Sequence, residues 1–432
     1  MPVALSRTEQ DNTRGACVVN GMEWRQVPVG PDAGRWITRT ECKTVLMVVH
    51  TVTMGQRLTK LLPLFETDQR VQVVFTAAPH AFGNGVARLL RRLDGVVIPW
   101  EQATAATFDL ALAAGYPSVH EVRAPLIVVP HGAAYNKLVI RSVASGAVAV
   151  RGVYGLDHQH LFQGGRVVPD ALVLSHRADL AVLGRQCPEA VPSAKVVGDP
   201  CYDQLAVSRP LRAAYRQALG VAERKRLVVT ASTWGSGSLF GQLTDLHDRL
   251  IAELPRDRYE VVVLLHPNVW YGQGPRQVRA WLSSARRRGL LLLPPESEWL
   301  SALVAADVVI GDAGSSSVYA AAAGPPVIIG AFATEDVAPG SAAAMLAAAA
   351  PRLRLDQPLE RQLADAMAWH SAELSQSVAE RITSEPGQFR RNMRRLIYRM
   401  LGLTQPPSIP VTPPASVPWV IRQPSAVTGQ ED

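Results

Sequence analysis

The sequence predicts an α/β protein with two Rossmann-like domains whose parallel sheets face one central cleft. From Thr44 onward, short runs rich in valine, isoleucine and leucine alternate with helical patterns, which is typical of buried parallel strands joined by helices. After a polar break at residues 222–225 the same alternation restarts, which indicates a second sheet. The chain has 432 residues, 47% of them hydrophobic, so it is long enough to bury two cores.

The alternation divides the chain into six segments. They are an N-terminal extension (1–40), a first Rossmann-like domain (41–205), a linker (206–223), a second Rossmann-like domain (224–358), C-terminal helices (359–403) and a proline-rich tail (404–432). The strands of the first domain are expected in TVLMVVH, RVQVVF, GVVIP, FDLALAAG, PLIVVPHG and DALVLSH, and those of the second in RLVVTAS, YEVVVLLHP, GLLLLP, ADVVIGD and PPVIIG. Because the tail has many prolines and little periodicity, it is expected to be disordered.

Composition narrows the classes of function. The net charge of +7 favours anionic partners, and nucleic acid, anionic lipid and phosphorylated metabolites all qualify. No apolar run approaches the roughly 18 residues of a membrane span, and the N-terminus lacks the apolar core of a secretory signal, so a cytoplasmic location is expected. The cysteines Cys17, Cys42, Cys187 and Cys201 show neither C-x-x-C pairs nor zinc spacing, so free thiols and no metal site are expected.

Histidines directly follow two of the predicted strands. Ligands of open α/β sheets bind beyond the carboxyl ends of the strands, so these positions are candidates for chemistry. His131, in Pro130-His131-Gly132, can accept a proton near neutral pH, and Gly132 permits close backbone approach. His266 follows VVVLL, and Pro267 ends that strand. A structural hydrogen-bonding role is the alternative for either histidine.

Two turns rich in glycine and serine are candidate phosphate sites. Residues 311–317, GDAGSSS, precede an alanine-rich helix whose free amides and dipole favour an anion, and helix capping by serine is the alternative. Residues 230–241, TASTWGSGSLFG, form a similar turn after the first strand of the second domain. The candidate donor-phosphate ligands are Thr233, Trp234, Gly235, Ser236, Gly237, Asp312, Gly314, Ser315, Ser316 and Ser317.

Several common catalytic motifs are missing from the sequence. Neither G-x-x-x-x-G-K-[ST] nor a G-x-G-x-x-G after the first strand occurs, so a P-loop NTPase is not supported. H-E-x-x-H, G-x-S-x-G and EF-hand loops are also missing, which disfavours hydrolases.

Taken in order, the motifs resemble those of the CDP-glycerol glycerophosphotransferase family, the teichoic-acid primases and polymerases, which are GT-B enzymes. PHGAAYNK resembles that family's W-H-G-x-x-x-K-K at His131, Gly132 and Lys137, and GDPCYDQL resembles G-x-P-R-x-D-x-L at Gly198, Pro200, Asp203 and Leu205. STWG resembles P-T-W-R at Thr233 and Trp234, LLHP resembles the strand-His-Pro motif at His266, and ADVVIGDAGSSS resembles A-D-x-x-I-T-D-Y-S-S at Asp307, Asp312 and Ser315, with Pro325 downstream. The matched stretch, residues 130–329, is nearly half of the chain.

The resemblance implies a transferase that moves glycerol phosphate or a sugar from a nucleotide-diphosphate donor to an acceptor hydroxyl, in the synthesis of a cell-wall or envelope polymer. It implies that the second domain binds the donor and the first domain the acceptor. It further implies that His131 is the general base, and that His266 with Ser315 holds the donor pyrophosphate. No cofactor is implied beyond the donor. Attack on the β-phosphorus and attack on an anomeric carbon both remain open.

The sequence departs from the family at several positions. Gly235 stands in place of the arginine after Thr-Trp, Cys201 in place of the arginine after Gly-x-Pro, and Ala313 and Gly314 in place of Tyr-Ser. Two alternatives follow. GDPCYDQL with HPNV is also similar to UDP-N-acetylglucosamine 2-epimerases, although SSSVYAAAAG lacks the paired glutamates of that GT-B family. The lost arginines also suggest a non-catalytic nucleotide-binding scaffold.

The last predicted helix is amphipathic. Its apolar residues follow helical spacing, and arginines lie on the opposite face. One interpretation is a helix that crosses back to brace the first domain. The other is attachment to the inner face of an anionic membrane near a lipid-linked acceptor, where each basic residue contributes about 1 kcal/mol. The residues concerned are Arg390, Arg391, Arg394, Arg395 and Arg399. Nucleic acid is disfavoured, because exposed aromatic residues do not interleave with the arginines.

Overall fold

The computed structural model describes residues 16–19, 22–30, 33–140, 151–368, 370–408 and 410–422. Much of the predicted N-terminal extension and the last ten residues of the predicted tail therefore lie outside the described residues. Two open parallel sheets, each covered by helices on both faces, dominate this part of the chain.

Within the described residues, seven parallel strands form the first sheet. They are β1 (Lys43–Val49), β2 (Val71–Ala77), β3 (Val96–Ile98), β4 (Leu110–Ala113), β5 (Leu126–Val128), β6 (Ala171–Leu174) and β7 (Ala194–Val196). Their order across the sheet is β7-β6-β5-β4-β1-β2-β3. The order reverses between β1 and β4, and such a switch point opens a crevice at the carboxyl ends of the strands.

The second sheet repeats this plan. Its strands in the described part of the chain are β8 (Arg226–Ser232), β9 (Tyr259–Leu265), β10 (Leu291–Leu293), β11 (Val308–Gly311) and β12 (Val327–Ile329). They are parallel in the order β10-β9-β8-β11-β12, with the switch point between β8 and β11. The predicted α/β class with two Rossmann-like sheets is confirmed.

Helices connect the strands. The helices before the second sheet are α1 (Val52–Thr59), α2 (Val86–Arg92), α3 (Trp100–Ala105), α4 (His158–Leu161), α5 (Asp179–Gln186), α6 (Pro200–Ser208) and α7 (Arg212–Leu219). Those that follow are α8 (Leu239–Gln242), α9 (Leu246–Glu253), α10 (Pro267–Gln273), α11 (Pro275–Trp281), α12 (Ser283–Arg287), α13 (Trp299–Ala305), α14 (Ser315–Ala323), α15 (Ala342–Ala349), α16 (Leu359–Ala368), α17 (Ala372–Ile382) and α18 (Phe389–Met400).

Short antiparallel hairpins and 3-10 turns complete the described structure. The hairpins pair Ala16–Val19 with Met22–Arg25, Leu138–Ile140 with Arg151–Val153, and Phe162–Gln163 with Arg166–Val167. The 3-10 turns are Ala33–Arg35, Leu62–Leu64, Val119–Glu121, Pro188–Ser193, Arg209–Leu211 and Thr334–Asp336.

The C-terminal helix α18 packs on the first domain, far from its neighbours in sequence. Its residues Phe389, Met393 and Ile397 belong to the same buried cluster as Val45 and Met47 of β1. The apolar face of this amphipathic helix therefore forms one wall of the first core, as the bracing interpretation predicts. In the described part of the chain, no helix is long and apolar enough to cross a membrane.

The five arginines of α18 do not form one free basic surface, which corrects the membrane hypothesis as first stated. Arg394 is only 3% exposed, and its Nη2 donates to the carbonyl of Pro406 at 2.7 Å. Arg390 is half-buried, and its Nε donates to the carbonyl of Pro410 at 3.2 Å. Arg391, Arg395 and Arg399 are exposed. The tail covers part of the helix, and its carbonyls accept hydrogen bonds from the guanidinium groups of Arg390 and Arg394.

The expected disordered tail is instead an ordered strap over residues 404–408 and 410–422, which we call the C-terminal strap. Its residue Ala415 is 3% exposed, and the Ala415 carbonyl accepts a hydrogen bond from the hydroxyl of Tyr215 at 2.6 Å. Further along, the amide of Ile421 donates to the carbonyl of Leu292 in β10 at 2.8 Å. Prolines keep such a segment extended and leave its carbonyls free, so side chains of the domains can bind them.

Candidate functional site

A cavity of about 440 Å³ lies between the two sheets, at the carboxyl ends of their strands. Residues that follow β5 in the first domain and β8, β9 and β11 in the second contribute to its wall. Of the residues singled out from the sequence, those lining the cavity are His131, Gly132, Lys137, Cys201, Thr233, Trp234, His266, Pro267, Ala313, Gly314, Ser315 and Ser316. The fold thus brings together motifs that are far apart along the chain.

His131 is held in one tautomer. Its Nδ1 lies 3.1 Å from the carbonyl oxygen of Ala114, an atom that can only accept a hydrogen bond, so Nδ1 carries the proton. In the neutral ring Nε2 then keeps a lone pair. Burial lowers the pKa of His131 to about 4, with the nearby charge of Arg57 acting in the same direction. The ring is therefore neutral at physiological pH and can accept a proton at Nε2.

His266 is held in the opposite tautomer. It directly follows β9 and caps α10, where its Nδ1 accepts a hydrogen bond from the amide of Asn268 at 3.1 Å. The proton of the neutral ring is then on Nε2, which lies 3.3 Å from the hydroxyl of Thr53 in α1. Burial, with Lys137 nearby, lowers the pKa of His266 to about 3. His266 therefore presents a neutral N–H donor at the boundary between the two domains.

Ser315 joins the two domains beside His131. Its Oγ accepts a hydrogen bond from the amide of Ala133 at 3.0 Å. A Cβ on Gly132 would lie 2.4 Å from that Oγ, so a larger residue would have to displace it. The group that comes close to the backbone of Gly132 is therefore the side chain of Ser315, the first residue of α14. Gly314 stands at the N-cap and has no side chain to cap the amides of the first turn.

Asp312 organises the two turns from behind the cavity. Its Oδ2 accepts hydrogen bonds from the amide and hydroxyl of Thr233, both at 2.8 Å, and from the amide of Leu239 at 3.0 Å. Its Oδ1 accepts one from the amide of Gly314 at 3.1 Å. The carboxylate is 2% exposed and would repel a phosphate. Its position supports a structural role rather than the predicted phosphate contact.

Other residues of the two turns also lie outside the cavity wall. Gly235, Ser236 and Gly237 shape the turn before α8, and Ser317 lies on the fully buried face of α14. Gly235 has a φ of 93°, a conformation that favours glycine, and its carbonyl accepts a hydrogen bond from the hydroxyl of Ser238 at 2.7 Å. The turn therefore has a physical reason to carry glycine where the resembled family has arginine.

Asp203 of the GDPCYDQL motif docks α18, whereas Cys201 of the same motif lies on the cavity wall. Asp203 accepts hydrogen bonds from the amides of Gly387 at 2.6 Å and Phe389 at 3.0 Å, at the start of that helix. Burial raises the pKa of this carboxyl to about 6. Pro200 begins α6, and Gly198, with a φ of 109°, lets the chain pass the carbonyl of Glu385. These three predicted supporting residues lie away from the cavity.

Arg57, a buried arginine of α1, was missed by the sequence analysis. Its Nη2 pairs with Asp199 at 2.6 Å, and its Nε donates to the carbonyl of Pro130 at 2.8 Å. Its Nη1 lies 3.1 Å from Sγ of Cys201, and Asp199 also accepts a hydrogen bond from the hydroxyl of Tyr319 in α14 at 2.9 Å. This network joins the His131 loop to the second domain. No short motif marks Arg57 in the sequence.

Aromatic side chains meet at the rim of the cavity. Trp234 of the second domain is 39% exposed, and its ring lies 4.5 Å from that of Phe82 in the first domain. Nζ of Lys137 lies 5.9 Å from the centre of the same indole, within range of a cation–π interaction. Trp234 therefore contacts two residues of the opposite domain. Phe82 belongs to a loop that the sequence analysis did not single out.

The wall of the cavity is poor in charge. No aspartate or glutamate of the described part of the chain lines it. The described residues also contain no group of three histidine, cysteine, aspartate or glutamate side chains placed to hold a metal ion. A bound anion would therefore meet backbone amides, hydroxyls, neutral imidazoles and Lys137.

Two Rossmann-like sheets that face one cavity define the GT-B architecture. Solved structures of the wall teichoic acid polymerase TagF are similar to this chain. One, a histidine-to-asparagine variant soaked with CDPG for 15 minutes, is 13% identical over 84% of this chain and 90% of that chain, with a TM-score of 0.58. A structure of TagF without a stated variant is 13% identical over 83% and 89%, with a TM-score of 0.57.

The likeness to TagF confirms the GT-B fold that the resemblance implied. No protein-family model matches the chain, and no curated protein sequence matches it. At this level of sequence identity the common feature is the fold, so the function must be argued from the site itself.

Proposed function

We propose that the protein is a GT-B transferase that moves a group from a nucleotide-diphosphate donor to an acceptor hydroxyl. The observation that carries this proposal is that His131 of the first domain lines the same cavity as His266 and the Ser315 turn of the second. A base on one side of a cleft and an anion site on the other is the arrangement that such a transfer requires.

The donor diphosphate is proposed to bind at the start of α14. The amides of its first turn and the helix dipole favour an anion there, and the hydroxyl of Ser316 lies on the cavity wall. Nε2–H of His266 and the ammonium group of Lys137 add a neutral and a charged donor. These contacts stabilise the negative charge that develops on the leaving group.

His131 is proposed to take the proton of the acceptor hydroxyl. The hydrogen bond to Ala114 fixes the ring, and Nε2 holds the lone pair. In the free protein the low pKa keeps this lone pair available at neutral pH. A bound diphosphate places negative charge nearby, which raises the pKa and makes the ring a stronger base when the donor is present.

The alternatives are weaker on the same geometry. The epimerase hypothesis needs paired glutamates, and the described cavity wall contains neither glutamate nor aspartate. The scaffold hypothesis would be favoured if either imidazole lay in a sealed core. Instead, both His131 and His266 are partly exposed on the cavity wall.

A lipid-linked acceptor at the inner face of the membrane is the finer part of the proposal. Arg391, Arg395 and Arg399 remain exposed on α18 and would meet anionic headgroups. Co-sedimentation with anionic vesicles should fall when these three become glutamine, whereas the Arg390→Gln and Arg394→Gln variants should bind as well as the parent. Equal binding by the triple variant would remove the membrane part of the proposal.

Thermal-shift titration with CDP, UDP, GDP, ADP and their common conjugates tests the donor site. A ligand that binds only the folded protein stabilises it by RT ln(1 + [L]/Kd), about 2.7 kcal/mol at one hundred times Kd. One nucleoside diphosphate should raise the Tm of the parent protein and much less that of His266→Asn. If no diphosphate raises the Tm, the proposed donor site fails, and the transferase proposal fails with it.

A further inference from the structure

The cavity carries a single uncompensated cation among its described wall residues. In the described part of the chain, two basic side chains line the cavity, Arg57 and Lys137. Arg57 is 4% exposed and paired at 2.6 Å with Asp199, which is 0% exposed, so together they add no net charge. Lys137 is exposed, and its ammonium group lies beside Trp234.

In the part of the chain that the structure describes, no unpaired cation stands in for the two arginines that the resembled family would supply. At Gly235 the φ of 93° disfavours any other residue in the turn. At Cys201, the neighbouring guanidinium of Arg57 donates to Sγ, to the carbonyls of Pro130 and Gly132, and to Asp199. Arg57 therefore occupies the place beside Cys201 but is neutralised there by Asp199.

This charge inventory distinguishes the two transfers that the sequence leaves open. When glycerol phosphate is transferred, the acceptor attacks a phosphorus that carries anionic oxygens, and catalysis depends on cations placed around them. When a sugar is transferred, the transition state resembles an oxocarbenium ion, and positive charge develops at the anomeric carbon. Negative charge then develops on the leaving diphosphate alone. The cavity offers the N-terminus of α14, Lys137 and the neutral N–H of His266, and this set suits sugar transfer.

We infer that the group transferred is a sugar and that the donor is a nucleoside-diphosphate sugar, an inference that rests on the proposed function. The acceptor oxygen forms a bond to the anomeric carbon, and the bond between that carbon and the β-phosphate oxygen breaks. The electron pair of the broken bond leaves with the nucleoside diphosphate. The hydroxyl proton passes to Nε2 of His131. Lys137 and the first turn of α14 bind the departing diphosphate.

The nucleotide product identifies the bond that breaks. The purified protein is incubated with CDP-glycerol and, separately, with UDP-, GDP-, ADP- and CDP-sugars, with simple alcohols and water as acceptors, and the released nucleotide is identified by chromatography. Transfer of a sugar releases a nucleoside diphosphate, whereas transfer of glycerol phosphate releases CMP. We expect a nucleoside diphosphate from one sugar donor, and its release should be slower by roughly 10²–10⁴ with the His131→Asn variant. Release of CMP from CDP-glycerol overturns the inference and leaves the proposed function standing.

Binding provides a second measurement that does not depend on the acceptor. By calorimetry, one nucleoside-diphosphate sugar should bind more tightly than CDP-glycerol, and Lys137→Gln should weaken it by about tenfold to a hundredfold while Lys137→Arg retains most of the affinity. Tighter binding of CDP-glycerol would overturn the inference. If neither a nucleotide sugar nor CDP-glycerol binds or reacts, the proposed function fails, and the inference fails with it.

Discussion

His131 and His266 use the same ring atom in opposite ways. Nδ1 of His131 donates to the carbonyl of Ala114, whereas Nδ1 of His266 accepts from the amide of Asn268, each at 3.1 Å. One histidine therefore presents a lone pair at Nε2 and the other presents an N–H there. This difference allows the two roles to be separated by substitution, because an asparagine amide mimics Nδ1 and a glutamine amide mimics Nε2.

Replacing His131 should slow turnover strongly but preserve donor binding. In His131→Asn the side-chain NH₂ can still donate to Ala114, while the base at Nε2 is lost. We expect kcat to fall by roughly 10²–10⁴, the usual contribution of a general base. The dissociation constant of the nucleoside diphosphate should change by less than about threefold, because substitutions away from a binding contact usually have small effects. A large loss of donor affinity would place His131 in the donor site instead.

Replacing His266 should weaken donor binding, and the choice of amide should matter. His266→Asn keeps an acceptor for the amide of Asn268 but removes the Nε2–H, so donor affinity should fall by about tenfold. His266→Gln can place an NH₂ near the position of Nε2 and should retain more affinity, at some cost to the cap of α10. Titration calorimetry measures both variants. Equal affinities would show that Nε2–H does not contact the donor.

The reaction should lose activity on acidification only at unusually low pH. Burial lowers the pKa of His131 to about 4, and the unprotonated ring is the active form. Activity at low donor concentration, kcat/KM, should therefore rise with pH through about 4 and be level by pH 6.5. The fall of kcat on acidification should occur at higher pH than that of kcat/KM, because the bound diphosphate raises the pKa of the His131 ring. A pH–rate series compares the two profiles, and coincident profiles would contradict this account.

Gly132→Ala should destabilise the contact between the domains. The new Cβ would lie 2.4 Å from Oγ of Ser315, which must then rotate and lose the hydrogen bond from Ala133. Overpacking and the lost bond together should lower the free energy of unfolding by about 1–3 kcal/mol. Adding Ser315→Ala to Gly132→Ala should recover part of this loss. Urea denaturation of the parent, the two single variants and the double variant measures the coupling energy between the two positions. If the two changes in the free energy of unfolding simply add, the contact is contradicted.

Removal of the C-terminal strap should destabilise the second domain. Without residues 404–432 the buried hydroxyl of Tyr215 loses the carbonyl of Ala415, and an unsatisfied buried polar group costs about 1–3 kcal/mol. Tyr215→Phe is the matched test. It should destabilise the full chain by about 1 kcal/mol, but be neutral or stabilising in the truncated chain. An equal effect in both backgrounds would show that the hydroxyl does not bind the strap.

The sequence predicted the parts of the site that directly follow strands. His131, His266 and the Ser315 turn could be placed together, because the carboxyl ends of parallel strands converge on one edge of a sheet. Arg57 could not be found in this way, since its burial depends on Asp199, which lies 142 residues further along the chain. The strap was also missed. Its prolines are typical of disorder, and the carbonyl of Ala415 is bound by Tyr215 of α7, which lies 200 residues earlier in the chain.

The position of α18 has a consequence for how the protein is made. Phe389 and Met393 complete the core around β1, yet the ribosome adds them after both sheets have been synthesised. Until then the nascent first domain lacks one wall of its core and exposes the apolar side chains that the helix will cover. A chain that terminates before α18 would therefore be left with an unfinished first domain, and would be a substrate for chaperones and proteases.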